Sequence, residues 1–380
     1  MTDKITAAFL ALVRSGLHEQ PAEIDGHSDN DAVLPGSTGH LDWHSISDAE
    51  WLSVLEMARK QTVCGLVYRG VALLPEEVQV PDSVIFPLMK EAHRIIQQSQ
   101  MIDRTAAEVV AFFERRSLHP VILKGPEAAK NYPKPELRES GDLDLYFPPK
   151  EFGKAVHAIQ ERLRKIPGQA GNDGGRTKED RGQARNDDAG NEALTTLPDG
   201  SIHYDWNGID IDQHAQYFDL DVDPSVLPKV PSTEATLLML SAHILKHSMG
   251  TGIGLRQLCD MAAAYQTLPY DRERLLAFYE ATDTLKWNEL LAAFCQKYLG
   301  ADRIPFDGPL PDPQPLMDIV LTGGNFGHHE VSREKVLQSS PLRRKADTAL
   351  RFLKRLPFSL RYAPRQLVNR VKELTKGNLS

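Results

Sequence analysis

The spacing of apolar residues predicts helices over most of the first 116 residues. Apolar side chains recur every three or four positions in residues 1–20, from residue 48 onward, and in the longest such pattern, residues 84–116. Ser47 precedes the second pattern as a candidate helix cap. We therefore expect an N-terminal helical region over residues 1–116.

The pattern changes at residue 117, where short apolar strands begin. Ile202–Trp206 and Ile209–His214 flank Asn207-Gly208, a preferred residue pair for a two-residue hairpin turn. The strands and the helix expected before that hairpin are Val121–Leu123, 142–145 and about 150–164. This order is typical of a compact α/β unit, which we place at residues 117–222.

A polar segment interrupts this core. Residues 167–192 contain no large apolar side chain, and the run beginning at Gly168 is echoed by the run beginning at Gly182. Such a segment buries too little apolar surface to offset the entropy of ordering it. We expect a largely disordered insertion over 167–200, with a functional lid as the alternative.

Helical spacing returns after the core, and a basic segment ends the chain. A second helical region is expected over 223–330, and a basic amphipathic tail over 331–380. The tail carries 13 Lys or Arg against 3 Asp or Glu, whereas the whole chain has a net charge of −8. The tail is interpreted as a solvated face, with contact to an anionic surface or nucleic acid as the alternative.

Composition narrows the classes of protein. At 380 residues, 41% hydrophobic and 25% charged, the chain is ordinary for a globular protein with a sizeable core. Its acidic balance argues against a protein that coats nucleic acid with its whole surface. The sequence favours a cytoplasmic protein without a transmembrane span. Its three cysteines are dispersed, no apolar run approaches 18 residues, and no basic leader is followed by an apolar run.

Paired carboxylates are the strongest chemical signal. Asp142 and Asp144 lie two residues apart on an apolar strand, so they project from one face. Two like charges on one face are costly unless a cation lies between them, and hard oxygen ligands suit Mg²⁺. An isolated Asp-x-Asp is more often a solvated strand edge; here Asp210 or Asp212 on a later strand could supply a third carboxylate.

The segment that precedes these aspartates could approach phosphates. Gly125 follows a short strand and precedes a helix-compatible stretch, so its backbone could come close to a triphosphate at a helix N-terminus. Lys124 adds a positive charge beside it. The residues therefore predict metal-dependent phosphoryl or nucleotidyl transfer.

These residues resemble a known family. Leu123-Lys124-Gly125, Arg138 and Gly141-Asp142-Leu143-Asp144-Leu145 are similar to the signature of the uncharacterised nucleotidyltransferase family, within the polymerase-β-like nucleotidyltransferase superfamily. Further similarities cover most of residues 50–330. They are Trp51 and its helix, Asp212-Gln213-His214, His243-x-x-x-His247 followed by Leu255-Arg256 and Asp260, and the Gly-rich turn 323–327.

The resemblance implies an α+β fold, with a small mixed β-sheet core flanked by N-terminal and C-terminal helical regions. It implies transfer of a nucleoside monophosphate from an NTP to an unknown hydroxyl acceptor (a sugar, a protein or an RNA), with Mg²⁺ or Mn²⁺. By matching position, Asp142, Asp144 and Asp212 would be catalytic and would bind the metal, with Asp210 as the alternative to Asp212. Lys124 and Gly125 would face the phosphates.

One position departs from the superfamily. Pro126 stands where a serine usually follows the glycine, so that hydroxyl contact to phosphate is missing. This departure favours, as the alternative function, a catalytically weak or inactive nucleotide- or partner-binding module with the same fold.

Other polar residues have two interpretations each. Arg138 could bind Asp142 or a phosphate of the nucleotide, or be a solvated loop residue. His243 and His247 could line the substrate or pack in the fold, and His214 is also a candidate for lining the substrate. Arg256 is expected to form an ion pair with Asp260 one helical turn away, unless it contacts the base or the acceptor.

Overall fold

The computed structural model describes residues 4–22, 41–165, 194–197, 200–250, 252–323 and 354–368. Of the insertion predicted over 167–200, residues 167–193, 198 and 199 lie outside the described residues, as does most of the Gly-rich turn at 323–327. The described chain divides into two compact units. One is helical and contains the residues up to Gln97, Ala128–Glu139 and the described residues from Phe218 onward; the other contains Gln98–Glu127 and Ser140–Tyr217.

The helical unit combines the N-terminal and C-terminal helices, which we expected as two separate regions. Its helices are α1 (Lys4–His18), α2 (Asp48–Lys60), α3 (Cys64–Ala72), the first half of α4 (Asp82–Glu114), α7 (Thr233–Met249), α8 (Leu255–Thr267), α9 (Arg272–Ala281), α10 (Leu285–Leu299) and α11 (Gln314–Gly323). Residues 354–362 and 364–368 of the tail are also helical. The predicted helices are thus confirmed wherever the chain is described, because their apolar stripes become the buried core.

Local signals in the sequence explain several helix boundaries. Ser47 caps α2 through a capping box, in which the Ser47 side chain accepts a hydrogen bond from the Glu50 backbone N–H and the Glu50 carboxylate accepts one from the Ser47 backbone N–H. Helix α10 ends at Gly300, whose φ of 72° lies in the left-handed region that glycine tolerates. These caps satisfy backbone groups that the helices leave unpaired at their ends.

The second unit is built on a mixed five-stranded sheet in the order β1-β2-β5-β4-β3. The strands are β1 (Val121–Ile122), β2 (Asp142–Tyr146), β3 (Thr195–Thr196), β4 (Ile202–Trp206) and β5 (Ile209–His214). Among the strands that the structure describes, β2 and β5 pair in parallel and the other neighbouring pairs are antiparallel. The α+β fold with a small mixed sheet is therefore confirmed.

One face of the sheet carries the core of this unit. Leu143, Leu145, Ile209 and Ile211 are fully buried there, packed with the second half of α4 and with α6 (Pro149–Lys165). Because side chains alternate along a strand, the aspartates between these residues project from the opposite face. Burial of the apolar half of each strand is what fixes the direction of its polar half.

The predicted hairpin is confirmed at its turn. Asn207 and Gly208 both have positive φ, 55° and 85°, as a type I′ turn requires. The two-residue turn sets the pairing of β4 with β5, so that Trp206 lies opposite Ile209 and His203 opposite Asp212.

Candidate active site

The aspartates of β2 and β5 lie side by side on the polar face of the sheet. In the parallel register, Asp142 lies opposite Asp210 and Asp144 opposite Asp212. Asp142 and Asp210 are exposed, whereas Asp144 is buried. The sheet therefore presents two carboxylate pairs at successive register positions, and the pair that contains Asp144 is the more enclosed.

Three side chains of this face form a compact group of possible metal ligands. One ligand atom each from Asp144, Asp212 and His214 lies within 4.8 Å of the other two. The Asp144 side chain is only 5% exposed. Of the two candidates for a third carboxylate, the structure thus brings Asp212 to Asp144, while Asp210 lies one register step away.

Two nitrogen atoms contact the same oxygen of Asp144. Lys124 Nζ lies 3.0 Å from Asp144 Oδ1, and His214 Nε2 lies 3.2 Å from it. Burial by itself would raise the pKa of the Asp144 carboxyl, but the positive charge of Lys124 and the contacts with His214 outweigh it and hold that pKa well below its usual value. Asp144 is accordingly an anion at neutral pH, which metal binding requires.

A further histidine, His203, which was not among the predicted site residues, lies on the same face of the sheet and contacts Asp212. His203 Nδ1 lies 2.6 Å from Asp212 Oδ1. The sequence did contain the necessary signal, because counting back from the Asn207-Gly208 turn pairs position 203 with position 212. Hydrogen bonding from a histidine on the next strand fixes the orientation of a carboxylate, as outer-shell partners do in metal sites.

The segment after β1 differs from the expectation in one respect. Gly125 has a φ of 61°, and a Cβ added there would lie 3.3 Å from the Asp142 carbonyl oxygen, so a glycine suits this position. The helix that follows, α5 (Pro126–Ala129), has only four residues. A single turn supplies too small a dipole to favour phosphate binding, which leaves Lys124 as the positive group of this segment.

Arg138 is not a solvated loop residue, because its side chain is buried and paired with Asp260. Its guanidinium makes a bidentate ion pair with Asp260, at 2.8 and 2.7 Å, and its side chain is only 6% exposed. Tyr132 donates a further hydrogen bond of 2.6 Å to the same carboxylate. The expected ion pair between Arg256 and Asp260 is therefore wrong: Asp260 is taken by Arg138 and Tyr132, whereas Arg256 donates to the Glu139 carbonyl at 3.0 Å.

The two histidines of α7 lie on one side of that helix. Their rings are 4.5 Å apart, and His243 Nδ1 lies 3.2 Å from Asp219 Oδ2. Lys246 binds the other oxygen of Asp219 at 2.7 Å. A role for His243 and His247 in lining the acceptor stays a prediction, as does one for Arg256.

Comparison with known proteins identifies the family. The model of the family described as uncharacterised nucleotidyltransferase matches residues 47–300, two-thirds of the chain. The chain belongs to this family. The match includes every strand of the sheet and the candidate ligands Asp144, Asp212 and His214, so the resemblance found in the sequence is confirmed. No curated protein and no solved structure matches the chain.

Membership of the uncharacterised nucleotidyltransferase family supports a transferase function for this protein. It also makes the group of Asp144, Asp212 and His214 a candidate binding site for the divalent ion that such enzymes usually use. Within the part of the chain that the structure describes, no helix has the length and apolar character needed to cross a membrane.

Proposed function

We propose that this protein is a nucleotidyltransferase that uses a divalent metal ion to transfer a nucleoside monophosphate from an NTP to a hydroxyl acceptor. The observation that carries the proposal is the buried, anionic Asp144 with Asp212 and His214 within ligand distance of one another. This group lies in the sheet unit that the family match covers.

The donor set fits a divalent ion. Two ligands about 2.1 Å from one ion, at nearly right angles, are about 3 Å apart, and His214 Nε2 and Asp144 Oδ1 are separated by 3.2 Å. Two carboxylates balance the charge of a dication. Mg²⁺ prefers oxygen donors alone, so the imidazole of His214 favours a first-row transition ion such as Mn²⁺ over Mg²⁺.

Each residue of the face has a role in this proposal. Asp144, Asp212 and His214 hold the ion. A bound ion would supply the positive charge that orients the α-phosphate and lowers the pKa of the attacking hydroxyl. Asp212, oriented by His203, accepts a hydrogen bond from that hydroxyl and so directs it toward the phosphorus. Asp142 is exposed one step along β2, where it would contact an ion that arrives with the triphosphate.

The nucleotide phosphates would meet the segment after β1. Gly125 leaves its backbone uncovered by a side chain, and Lys124 supplies a mobile positive charge to the phosphate oxygens. Because α5 has one turn and Pro126 offers no hydroxyl, these two residues carry most of the phosphate contact from this segment. Roles for Asp210 and for Arg138 in binding the nucleotide stay predictions.

Metal binding without nucleotide is the most direct test. Mn²⁺ titration followed by electron paramagnetic resonance should give one bound ion per chain in the wild type. Affinity should fall at least tenfold in Asp144→Asn and in Asp212→Asn, because each loses a charged donor. Asp205→Asn is the matched control: Asp205 lies on the same face of the sheet but outside the group, and an asparagine can keep its hydrogen bond from the Gly208 backbone.

The nucleotide has its own readout. With Mn²⁺ present, calorimetry should detect an NTP bound by the wild type, and Asp142→Asn should weaken that binding while leaving Mn²⁺ binding without nucleotide nearly unchanged. Equal Mn²⁺ binding by the wild type and Asp144→Asn would refute the metal centre.

A non-catalytic nucleotide-binding module is the second candidate. Pro126 and the single turn of α5 favour it, because they reduce the contacts available to a triphosphate. Both candidates bind metal and nucleotide, so the discriminating assay is release of pyrophosphate from NTPs with sugar, protein and RNA acceptors. Metal-dependent release that Asp144→Asn abolishes supports the enzyme.

A further inference from the structure

Lys124 forms an ion pair with Asp144, the carboxylate that would bind the metal. Its ammonium lies 3.0 Å from Asp144 Oδ1, and His214 Nε2 contacts the same oxygen. The side chain of Asp144 is 5% exposed and that of Lys124 is 21% exposed. The ion pair is therefore largely sheltered, with the lysine on its more open side.

A carboxylate buried in this way needs a positive charge beside it at all times. Transferring an ionised carboxylate out of water is costly unless a counter-charge accompanies it. Without a metal, Lys124 supplies that charge from within the chain. With a dication bound to the same oxygen, an ammonium 3 Å away would be repelled by a double positive charge at close range.

The Lys124 ammonium can move away from Asp144. Its charge sits at the end of a flexible four-carbon chain. Lys124 lies two residues after the end of β1 and directly before Gly125, whose φ of 61° marks a break in the regular structure. Movement of the ammonium away from Asp144 therefore requires no change in the sheet.

We propose that Lys124 is the built-in counter-ion of the metal-free site, which the metal displaces from Asp144 and so releases to the triphosphate. This inference rests on the proposed function. It makes the two ligands cooperative: metal binding frees a cation for the nucleotide, and by thermodynamic reciprocity the nucleotide strengthens metal binding. It also assigns Lys124 opposite effects on the two affinities.

The test compares Lys124→Met with the wild type, as full-length proteins, and uses Mn²⁺ alone as the first probe. Removing a competing charge at this distance should tighten Mn²⁺ binding on the order of tenfold in the absence of nucleotide. With saturating Mn²⁺, the same variant should bind a non-hydrolysable NTP analogue on the order of tenfold more weakly. Lys124→Arg keeps the charge and should leave the affinity for Mn²⁺ alone within a few-fold of the wild type.

A second measurement follows the displacement itself. Labelling of Lys124 by an amine-reactive ester, read by peptide mass spectrometry, should increase when Mn²⁺ is added to the wild type. Labelling of Lys150 on α6 should not change, because it is exposed at the start of that helix and serves as an internal control. If Lys124→Met does not fold, Lys124→Gln replaces it in the titrations.

The outcomes separate the two proposals. If the wild type binds Mn²⁺, Asp144→Asn does not, and Lys124→Met binds it no more tightly than the wild type, the displacement is refuted while the metal centre stands. Constant labelling of Lys124 with and without Mn²⁺ refutes the displacement as well. If the wild type does not bind Mn²⁺ at all, both proposals fail.

Discussion

Two glycines make the crossing of α1 and α3 possible, and a single methyl group should disrupt it. A Cβ added at Gly70 would lie 2.1 Å from the Leu12 carbonyl oxygen, and one added at Gly16 would lie 2.1 Å from the Leu66 carbonyl oxygen. Since carbon–oxygen contacts between helices normally exceed about 3.3 Å, Gly70→Ala requires the two helices to separate by about 1 Å.

The expected magnitude comes from two opposing effects. Alanine improves intrinsic helix stability by about 1 kcal/mol relative to glycine. Overpacking a filled interface costs about 1–3 kcal/mol, occasionally more, and the α1 side chains around the contact, Leu12 and Val13, are fully buried. The clash involves a backbone oxygen, which cannot rotate aside, so overpacking should prevail. With an overpacking cost at the upper end of its range, about 3 kcal/mol, and the helix gain of about 1 kcal/mol subtracted, we expect Gly70→Ala to lower the free energy of unfolding by about 2 kcal/mol.

Gly153→Ala is the matched control. Gly153 is exposed on α6, and a Cβ added there meets no heavy atom within 4 Å. Only the propensity effect remains, so this variant should gain about 0.5–1 kcal/mol. Urea unfolding followed by tryptophan fluorescence measures both, because Trp43, Trp51 and Trp287 lie in the helical unit and Trp206 in the sheet unit. A Gly70→Ala protein as stable as the wild type would refute the close crossing of the helices.

Two further predictions concern the backbone at the candidate site and the response to acid. Gly125→Ala should destabilise the protein by about 1–2 kcal/mol because alanine resists positive φ, and Gly125→Asn should cost less because asparagine tolerates it; equal urea midpoints for the two variants would contradict this. Burial would raise the pKa of Asp219, but His243 and Lys246 outweigh it and lower that pKa well below its usual value. The unfolded state then binds more protons as the pH falls, so the stabilisation by Asp219 is present above about pH 4 and is lost below it. Melting temperatures from pH 7 to pH 3 should therefore fall more steeply in the wild type than in Asp219→Asn, and parallel curves would exclude this role.

Much of the sheet unit could be predicted from the sequence because its signals are local. The Asn207-Gly208 turn sets the register of β4 and β5, and the alternation of Ile209 and Ile211 with the aspartates decides which face is polar. The same reasoning places Asp142 and Asp144 on one face of β2. Short-range geometry is sufficient for each of these statements, since neighbouring residues of a strand cannot share a face.

Which of the two aspartates of β5 lies beside Asp144 could not be predicted in this way. Asp210 and Asp212 share a face of β5, so alternation treats them alike, and only the parallel pairing of β2 with β5 brings Asp212 opposite Asp144. That register joins strands separated in sequence by more than 60 residues, including the polar insertion. Shifting β5 by two residues along β2 would leave its apolar side chains on the core face but would place Asp210, rather than Asp212, opposite Asp144.

The pairing of charged residues also depends partly on the sequence and partly on the tertiary structure. The sequence by itself determined which residues carry charge and which helices and strands present them, because those follow from composition and local periodicity. Only the tertiary structure decided that Arg138 binds Asp260, 122 residues away, and that Lys124 and His214 meet on one oxygen of Asp144. Ion pairs in a folded interior depend on how distant segments pack, and no spacing along the chain encodes that packing.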